Sequence, residues 1–150
     1  MSTGITPYLT VRGGTDAIGF YEKAFGAVLV LKLTIPGGGI AHAEMKINDS
    51  PFMFGDENPE WGNKSPLTLG GTASGLMFYT DDCDASYAMA LAAGATVDRP
   101  IEDQFYGDRS GSVVDPSGHK WTIGTHKKDM TEAEMQAAMD VWMASMAPPA

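Results

Sequence analysis

The sequence predicts an α+β fold in which two βαβββ modules form a curved mixed sheet around a concave pocket, with helices outside and an extra C-terminal helix. Three observations carry this expectation. Asp16-Ala17 and Gly26-Ala27 recur as Asp84-Ala85 and Gly94-Ala95 at one offset of 68 positions (84 − 16 and 94 − 26), which marks an internal duplication. Asp115-Pro116-Ser117-Gly118 places aspartate, proline and glycine where a tight turn wants them. It lies between the strand-like runs Ser112–Val114 and Lys120–Thr125, so the unit reads as a β-hairpin. Residues 40–48 alternate, with Ala41, Ala43, Met45 and Ile47 on one side and His42, Glu44 and Lys46 on the other, the period of a half-covered strand.

Each element follows from local pattern. Residues 5–11 form a first strand that ends at Gly13-Gly14, and Thr15 or Asp16 is placed to cap a helix. That helix carries Ala17, Phe20, Tyr21, Ala24 and Phe25 at helical spacing and stops at Gly26. Strands follow at 27–35, 40–48 and 51–54. Residues 55–73 have no periodicity, and a loop of that length is either an inter-module linker or a functional flap, with Trp61 as core anchor or as lid. The pattern then restarts: a strand at 76–80, a helix capped by Asp82 or Asp84 and closed by Gly94, a strand at 95–100, and the hairpin. Thr131 and Glu134 have capping-box spacing for a last helix over 131–146. Its stripe of Met135, Ala138, Met139, Trp142 and Met146 is expected to face core, of this chain or of a second subunit. The whole reads as one domain, 1–150, with module one about 5–57, a loop about 58–73, module two about 74–126, and a tail at 148–150 expected to be disordered.

Bulk properties narrow the function classes. A net charge of −9 with no basic cluster beyond Lys127-Lys128 excludes nucleic acid and anionic membranes as expected partners. No apolar run is long enough to span a membrane, and MSTGITPY lacks the basic and apolar regions of a signal peptide, so a cytoplasmic location is expected. Cys83 is the single cysteine and is crowded by Asp81, Asp82 and Asp84, which oppose a thiolate; it is expected to be inert.

FYEKAFGA at the end of the first helix, AAGA at the end of the second and DPSGHKW in the last hairpin resemble the vicinal oxygen chelate superfamily. That group includes glyoxalase I, the bleomycin-resistance proteins and extradiol dioxygenases. The resemblance covers about residues 5–126, and PYL, HAEM and GDRSG through DPSGHKW are similar to its PhnB-like branch. It implies a small-molecule ligand and a homodimer. In metal-using members the ligand positions fall here on Thr6, Glu44, Gly75 (or Ser74) and Thr122, of which only Glu44 is an ordinary metal ligand. No cofactor is therefore expected, and a divalent metal, if held, would rest on Glu44 and His42.

His42 and Glu44 project from one strand face, which is either a solvated face or a catalytic acid–base pair in the barrel interior. Tyr8, Met77, Tyr79 and Thr122 share the pocket-facing parity and, with Trp61, are expected to line a ligand site. Arg109 either holds an anionic ligand or forms a structural pair with Asp108. His119, directly after the turn, is expected to bond loop backbone. Three functions compete: a metal-free small-molecule binder, an enzyme of the superfamily (lyase, isomerase or dioxygenase type) using Glu44 and His42, and a structural or regulatory dimer with an occluded pocket.

Overall fold

A computed structural model describes residues 3–146, so the tail at 148–150 lies outside the described residues. Module one runs β1 (Tyr8–Val11), α1 (Gly14–Phe25), β2 (Val28–Thr34), β3 (Ile40–Ile47) and β4 (Ser50–Asp56). A 3-10 turn (Pro59–Trp61) and a one-turn helix α2 (Pro66–Leu69) follow. Module two is β5 (Gly75–Tyr79), α3 (Cys83–Ala93), β6 (Thr96–Asp103), β7 (Asp108–Val114) and β8 (Lys120–His126), and α4 (Glu132–Ser145) closes the chain. The sheet orders are β1-β4-β3-β2 and β5-β8-β7-β6, the same topology twice. None of the described helices is long and apolar enough to cross a membrane.

The helix ends show why the duplication is visible. Gly26 and Gly94 both adopt left-handed conformations (φ 65° and 118°) and return their N–H groups to the preceding turn, a geometry that side-chain-bearing residues resist. The N-termini differ. Asp82 caps α3 by accepting from the Ala85 N–H, whereas neither Thr15 nor Asp16 caps α1. That helix starts earlier, at Gly14, whose N–H donates to Asp56 on β4. A Cβ at Gly14 would stand 2.7 Å from the Ile40 side chain, so the helix start is packed onto the sheet and capped from a distance.

One face of each sheet is covered by helix, and the core lies there. Ala43, Met45 and Ile47 of β3, Phe52 and Phe54 of β4, and Trp121 and Ile123 of β8 are all buried. Tyr21 and Phe25 of α1 carry this core across the module boundary: the Phe25 ring lies 4.8 Å from Trp121 and 5.2 Å from Phe78. The Phe25–Phe78 contact is edge-to-face and the Phe25–Trp121 contact tilted, arrangements that add to what burial of the rings contributes.

The boundary also holds a buried carboxylate. Asp115, 4% exposed, accepts from the Tyr21 hydroxyl (2.6 Å), from Trp121 Nε1 (2.9 Å), and from the N–H groups of Ser117 and His119. The expected turn is closed by the Gly118 N–H donating to the Asp115 carbonyl. Arg12 N–H donates to Ser117 Oγ, and one His119 ring nitrogen bonds the Thr10 carbonyl at 2.8 Å. His119 thus bonds backbone as expected, but backbone of β1 in the other module. The two modules contribute two four-stranded sheets to the expected α+β architecture. β1 and β5 are facing edge strands, and part of the β1 edge is satisfied by an imidazole instead of a strand.

Four features differ from expectation. β7 begins at Asp108 and β6 continues past Pro100, which is tolerated because β6 is an edge strand with register shifts there. The 55–73 segment is pinned. Glu57 accepts from Arg12 Nε, Ser65 and Thr68, which holds its pKa down at about 2, and Leu67 N–H donates to the Ser117 carbonyl. α4 has its capping box, but no residue of it is buried; Met139, Trp142 and Met146 remain exposed, with Trp142 set against Phe105. Within one chain the methionine stripe does not face core.

Asp115→Ala leaves the Tyr21 hydroxyl, an indole N–H and two backbone N–H groups without their acceptor, so it should cost roughly 3 kcal/mol, against about 1 kcal/mol for Tyr21→Phe. Urea midpoints at unchanged slope measure both, and equal costs would show that the carboxylate acts only through Tyr21.

Candidate functional site

Strand parity divides the polar residues between two faces. On the helix-free face of module one lie Tyr8 and Thr10 of β1, Met53 and Gly55 of β4, and His42 and Glu44 of β3, since Glu44 pairs with Met53 and Met53 with Tyr8. On that face of module two lie Met77 and Tyr79 of β5, Thr122 and Gly124 of β8, and Asp108 of β7. Tyr8, His42, Glu44, Met77, Tyr79 and Thr122 thus lie on the helix-free faces, as their parity predicts.

Two hydrogen-bonded chains are built on these faces. In module one the Tyr8 hydroxyl is 2.9 Å from His42 Nδ1, and His42 Nε2 is 3.1 Å from Glu44 Oε1. The Tyr8 ring stacks on the imidazole with centroids 5.6 Å apart. The two strands are not neighbours, because β4 runs between them. Gly55 makes the crossing possible: a Cβ there would lie 2.7 Å from the Ala41 carbonyl oxygen and 3.6 Å from the Tyr8 hydroxyl. In module two Tyr79 lies over Gly124 in the same way and donates to Asp108 at 2.8 Å. Asp108 also bonds His126 Nδ1 at 2.8 Å, and His126 Nε2 meets Asp129 at 2.6 Å. The bond to Asp108 raises the Tyr79 pKa and keeps the phenol protonated. Asp129, then Asp108, raise that of His126.

A cavity of about 550 Å³ lies at the seam between β1 and β5. Ile5, Pro7, Leu9, Pro66, Leu69 and Leu76 give it apolar walls, and Tyr8, Thr10, Lys64, Thr72, Ser74 and His119 supply polar groups. Tyr8 lines it, although its hydroxyl reaches over β4 to His42; His42, Glu44, Met77, Tyr79 and Thr122, expected at the ligand site, do not line it, because their side chains stand on the open sheet faces and not at the β1–β5 seam. The loop contributes its 64–74 end and not Trp61, which is 79% exposed and neither anchors the core nor borders this cavity. Lys64, Thr72 and Ser74 were not singled out from sequence, since nothing in a structureless glycine-rich run tells which end folds back.

Arg109 is turned to the helix side, with its guanidinium committed to Asp84 (2.8 and 2.9 Å) and Asp103 (3.2 Å). It pairs neither with Asp108 nor with anything on the opposite face. Cys83 is buried, with its thiol against the Arg109 carbonyl.

The donor set does not fit a glyoxalase-type metal centre. Thr6 precedes β1, Gly75 has no side chain, and Thr122 offers a hydroxyl. Glu44 stands two strands from β1, and both ring nitrogens of His42 are engaged by Tyr8 and Glu44. Among the described residues no group of three or more His, Cys, Asp or Glu side chains is placed to share an ion.

Comparison with known proteins settles the lineage. The model of the Glyoxalase/Bleomycin resistance protein/Dioxygenase superfamily matches residues 5–123. The chain belongs to this superfamily. An uncharacterized member from Mycobacterium bovis is 42% identical over 138 residues, covering 90% of this chain and 91% of that protein. Among solved superfamily folds, the PhnB protein of Bacillus cereus superposes with a TM-score of 0.64 at 20% identity, covering 82% of this chain and 99% of that one. A variant of the fosfomycin resistance protein FosX of Listeria monocytogenes, complexed with Mn(II) and a dihydroxypropylphosphonic acid, gives 0.63 at 15% identity, covering 91% and 98%. The chain therefore shares its fold with a protein whose structure is a complex with Mn(II).

The His126 bridge makes stability depend on pH. Because its folded pKa lies above the ordinary 6.5, its contribution is fully present below that value and is lost as pH rises through the higher folded value. His126→Gln should remove this fall in thermal midpoint. A wild-type profile that stays flat above pH 6.5 would contradict the bridge.

Proposed function

We propose that this protein binds a small organic molecule in the seam cavity, without a glyoxalase-type metal centre, as a cytoplasmic homodimer of the PhnB-like branch. The observation that carries the reading is the cavity itself: about 550 Å³, with apolar walls interspersed with polar side chains, at the junction of two modules. The volume is in the range that encloses a drug-sized ligand. The donor set described above supports the metal-free part. The homodimer is supported by apolar surface left uncovered in one chain, with Val30 and Leu33 on β2 and Val141, Trp142 and Met143 on α4.

A second reading, an enzyme of the superfamily, is favoured by one observation. The Tyr8–His42–Glu44 chain is arranged as an acid–base unit, with His42 oriented by a carboxylate.

Ala73 and Leu69 line the cavity and are exposed, so they can be altered without touching the core. Ala73→Trp, which fills the cavity, and Leu69→Glu, which places a charge in it, should each weaken binding of 8-anilinonaphthalene-1-sulfonate about tenfold while leaving the unfolding midpoint in place. Unchanged affinity in both would remove the cavity as the site. Elemental analysis of protein purified without added metal should find no stoichiometric ion; tightly held metal that disappears in Glu44→Ala would sink the metal-free reading.

A further inference from the structure

Taking the seam cavity as the binding site, we infer that His119 is its specificity-determining residue and that the ligand is a neutral molecule with an apolar body and a hydrogen-bond donor. An alcohol is the simplest case.

His119 is held by both modules. Its backbone N–H donates to the Asp115 carboxylate, so the residue belongs to the turn that joins the two halves. The ring reaches from that turn to β1, where Nε2 lies 2.8 Å from the Thr10 carbonyl oxygen. A carbonyl only accepts. Nε2 therefore carries the ring proton, and Nδ1 of the neutral imidazole is a lone-pair acceptor.

Nothing in the described chain donates to that acceptor, because the one hydrogen bond of the His119 side chain is made through Nε2. Yet His119 is a buried residue, 9% exposed, and every sealed side-chain nitrogen or oxygen of such residues, among those described, has a partner. An Nδ1 without a partner is thus not sealed. It opens on free space, and the space that His119 borders is the seam cavity. A ring fixed at both ends of its attachment presents one bare acceptor there.

The remaining lining decides what can approach it. Ile5, Pro66, Leu69 and Leu76 suit an apolar body. No carboxylate lines the cavity, although the chain has 19 acidic residues, so a cationic ligand meets no counter-charge. Lys64 is exposed, and water already solvates its ammonium. Thr72 Oγ1 is committed to Ser74, whose N–H it accepts and whose carbonyl it faces as donor. The hydroxyls of Thr10 and Ser74 rotate and suit donors and acceptors alike, so they do not discriminate. His119 does. A carboxylate or a ketone sets its own lone pairs against Nδ1, and a hydrocarbon covers that nitrogen without replacing the bond it could make. An O–H or N–H completes it. Sites with a fixed polar group reject analogues that leave it unmatched more strongly than they reject a change of size.

Calorimetric titration with three molecules of one rigid shape tests this: 1-adamantanol carries a donor, 2-adamantanone only an acceptor, and 1-adamantanecarboxylate an anion. The alcohol should bind about tenfold tighter than either of the others. In His119→Phe, which keeps a ring of similar bulk and lacks Nδ1, the alcohol-to-ketone ratio should fall to about one. That variant also loses the bond to Thr10, so nitrogen chemical shifts of the wild-type His119 ring carry the test if it does not fold. They should place the proton on Nε2, and the alcohol should move Nδ1 more than Nε2. A proton found on Nδ1, a carboxylate that binds tightest, or an alcohol that binds no better than the ketone overturns the inference. Ala73→Trp tells the failures apart. If it weakens dye binding while wild type treats alcohol and ketone alike, the cavity stands and the donor assignment fails. If it leaves the dye and all three adamantanes unaffected, the cavity assignment itself fails.

Discussion

Everything in this molecule depends on how the two modules are joined, and Asp115 is the joint. A carboxylate withdrawn from water is costly unless its oxygens are fully used. Here one oxygen accepts the two N–H groups that define the hairpin turn, and the other accepts the Tyr21 hydroxyl of α1 and the indole of Trp121. One side chain thus shapes a turn in module two and fixes the helix of module one against it. The aromatic contacts of Tyr21 and Phe25 with Trp121 and Phe78 follow from that placement. The seam cavity exists because the joint lies on the helix side, leaving the facing edges of β1 and β5 to be spanned by isolated contacts such as His119 to Thr10.

The duplication survives most clearly where geometry tolerates no substitution, and diverges where chemistry is possible. Gly26 and Gly94 keep the same left-handed helix stop. Gly55 and Gly124 keep a bare strand position over which a tyrosine lies. Beyond the tyrosines the modules part: Tyr8 reaches an imidazole and Tyr79 a carboxylate. Two copies of one scaffold have thus come to hold a tyrosine–imidazole–carboxylate chain on one side and a tyrosine–carboxylate–imidazole chain on the other.

The helices and the last hairpin were legible in the sequence because each depends on neighbours within a few residues. What stayed hidden depended on distant partners. The α1 cap comes from Asp56, some forty positions away, so Thr15 and Asp16 were local candidates for a task done elsewhere. Arg109 could not be placed from Asp108, because adjacent strand residues point to opposite faces and its acceptors lie on α3 and β6. β7 starts at Asp108 and not at Ser112, and its Gly111 lies against Tyr87 and Ile101, distant partners that a Cβ there would strike. The parity of Tyr8, His42 and Glu44 could be read, but not their union, since it requires knowing that Gly55 lies between them.

The joint has a consequence for synthesis. Each module is assembled from neighbouring hairpins and can form early, but Tyr21 meets Asp115 across 94 positions of chain. At ~5–20 residues per second on the ribosome, the first module waits on the order of 5–20 s for its partner to emerge. During that interval the aromatic face of Tyr21 and Phe25 has no second module to cover it. A nascent chain in this state would present chaperones with an apolar surface that the finished protein never shows.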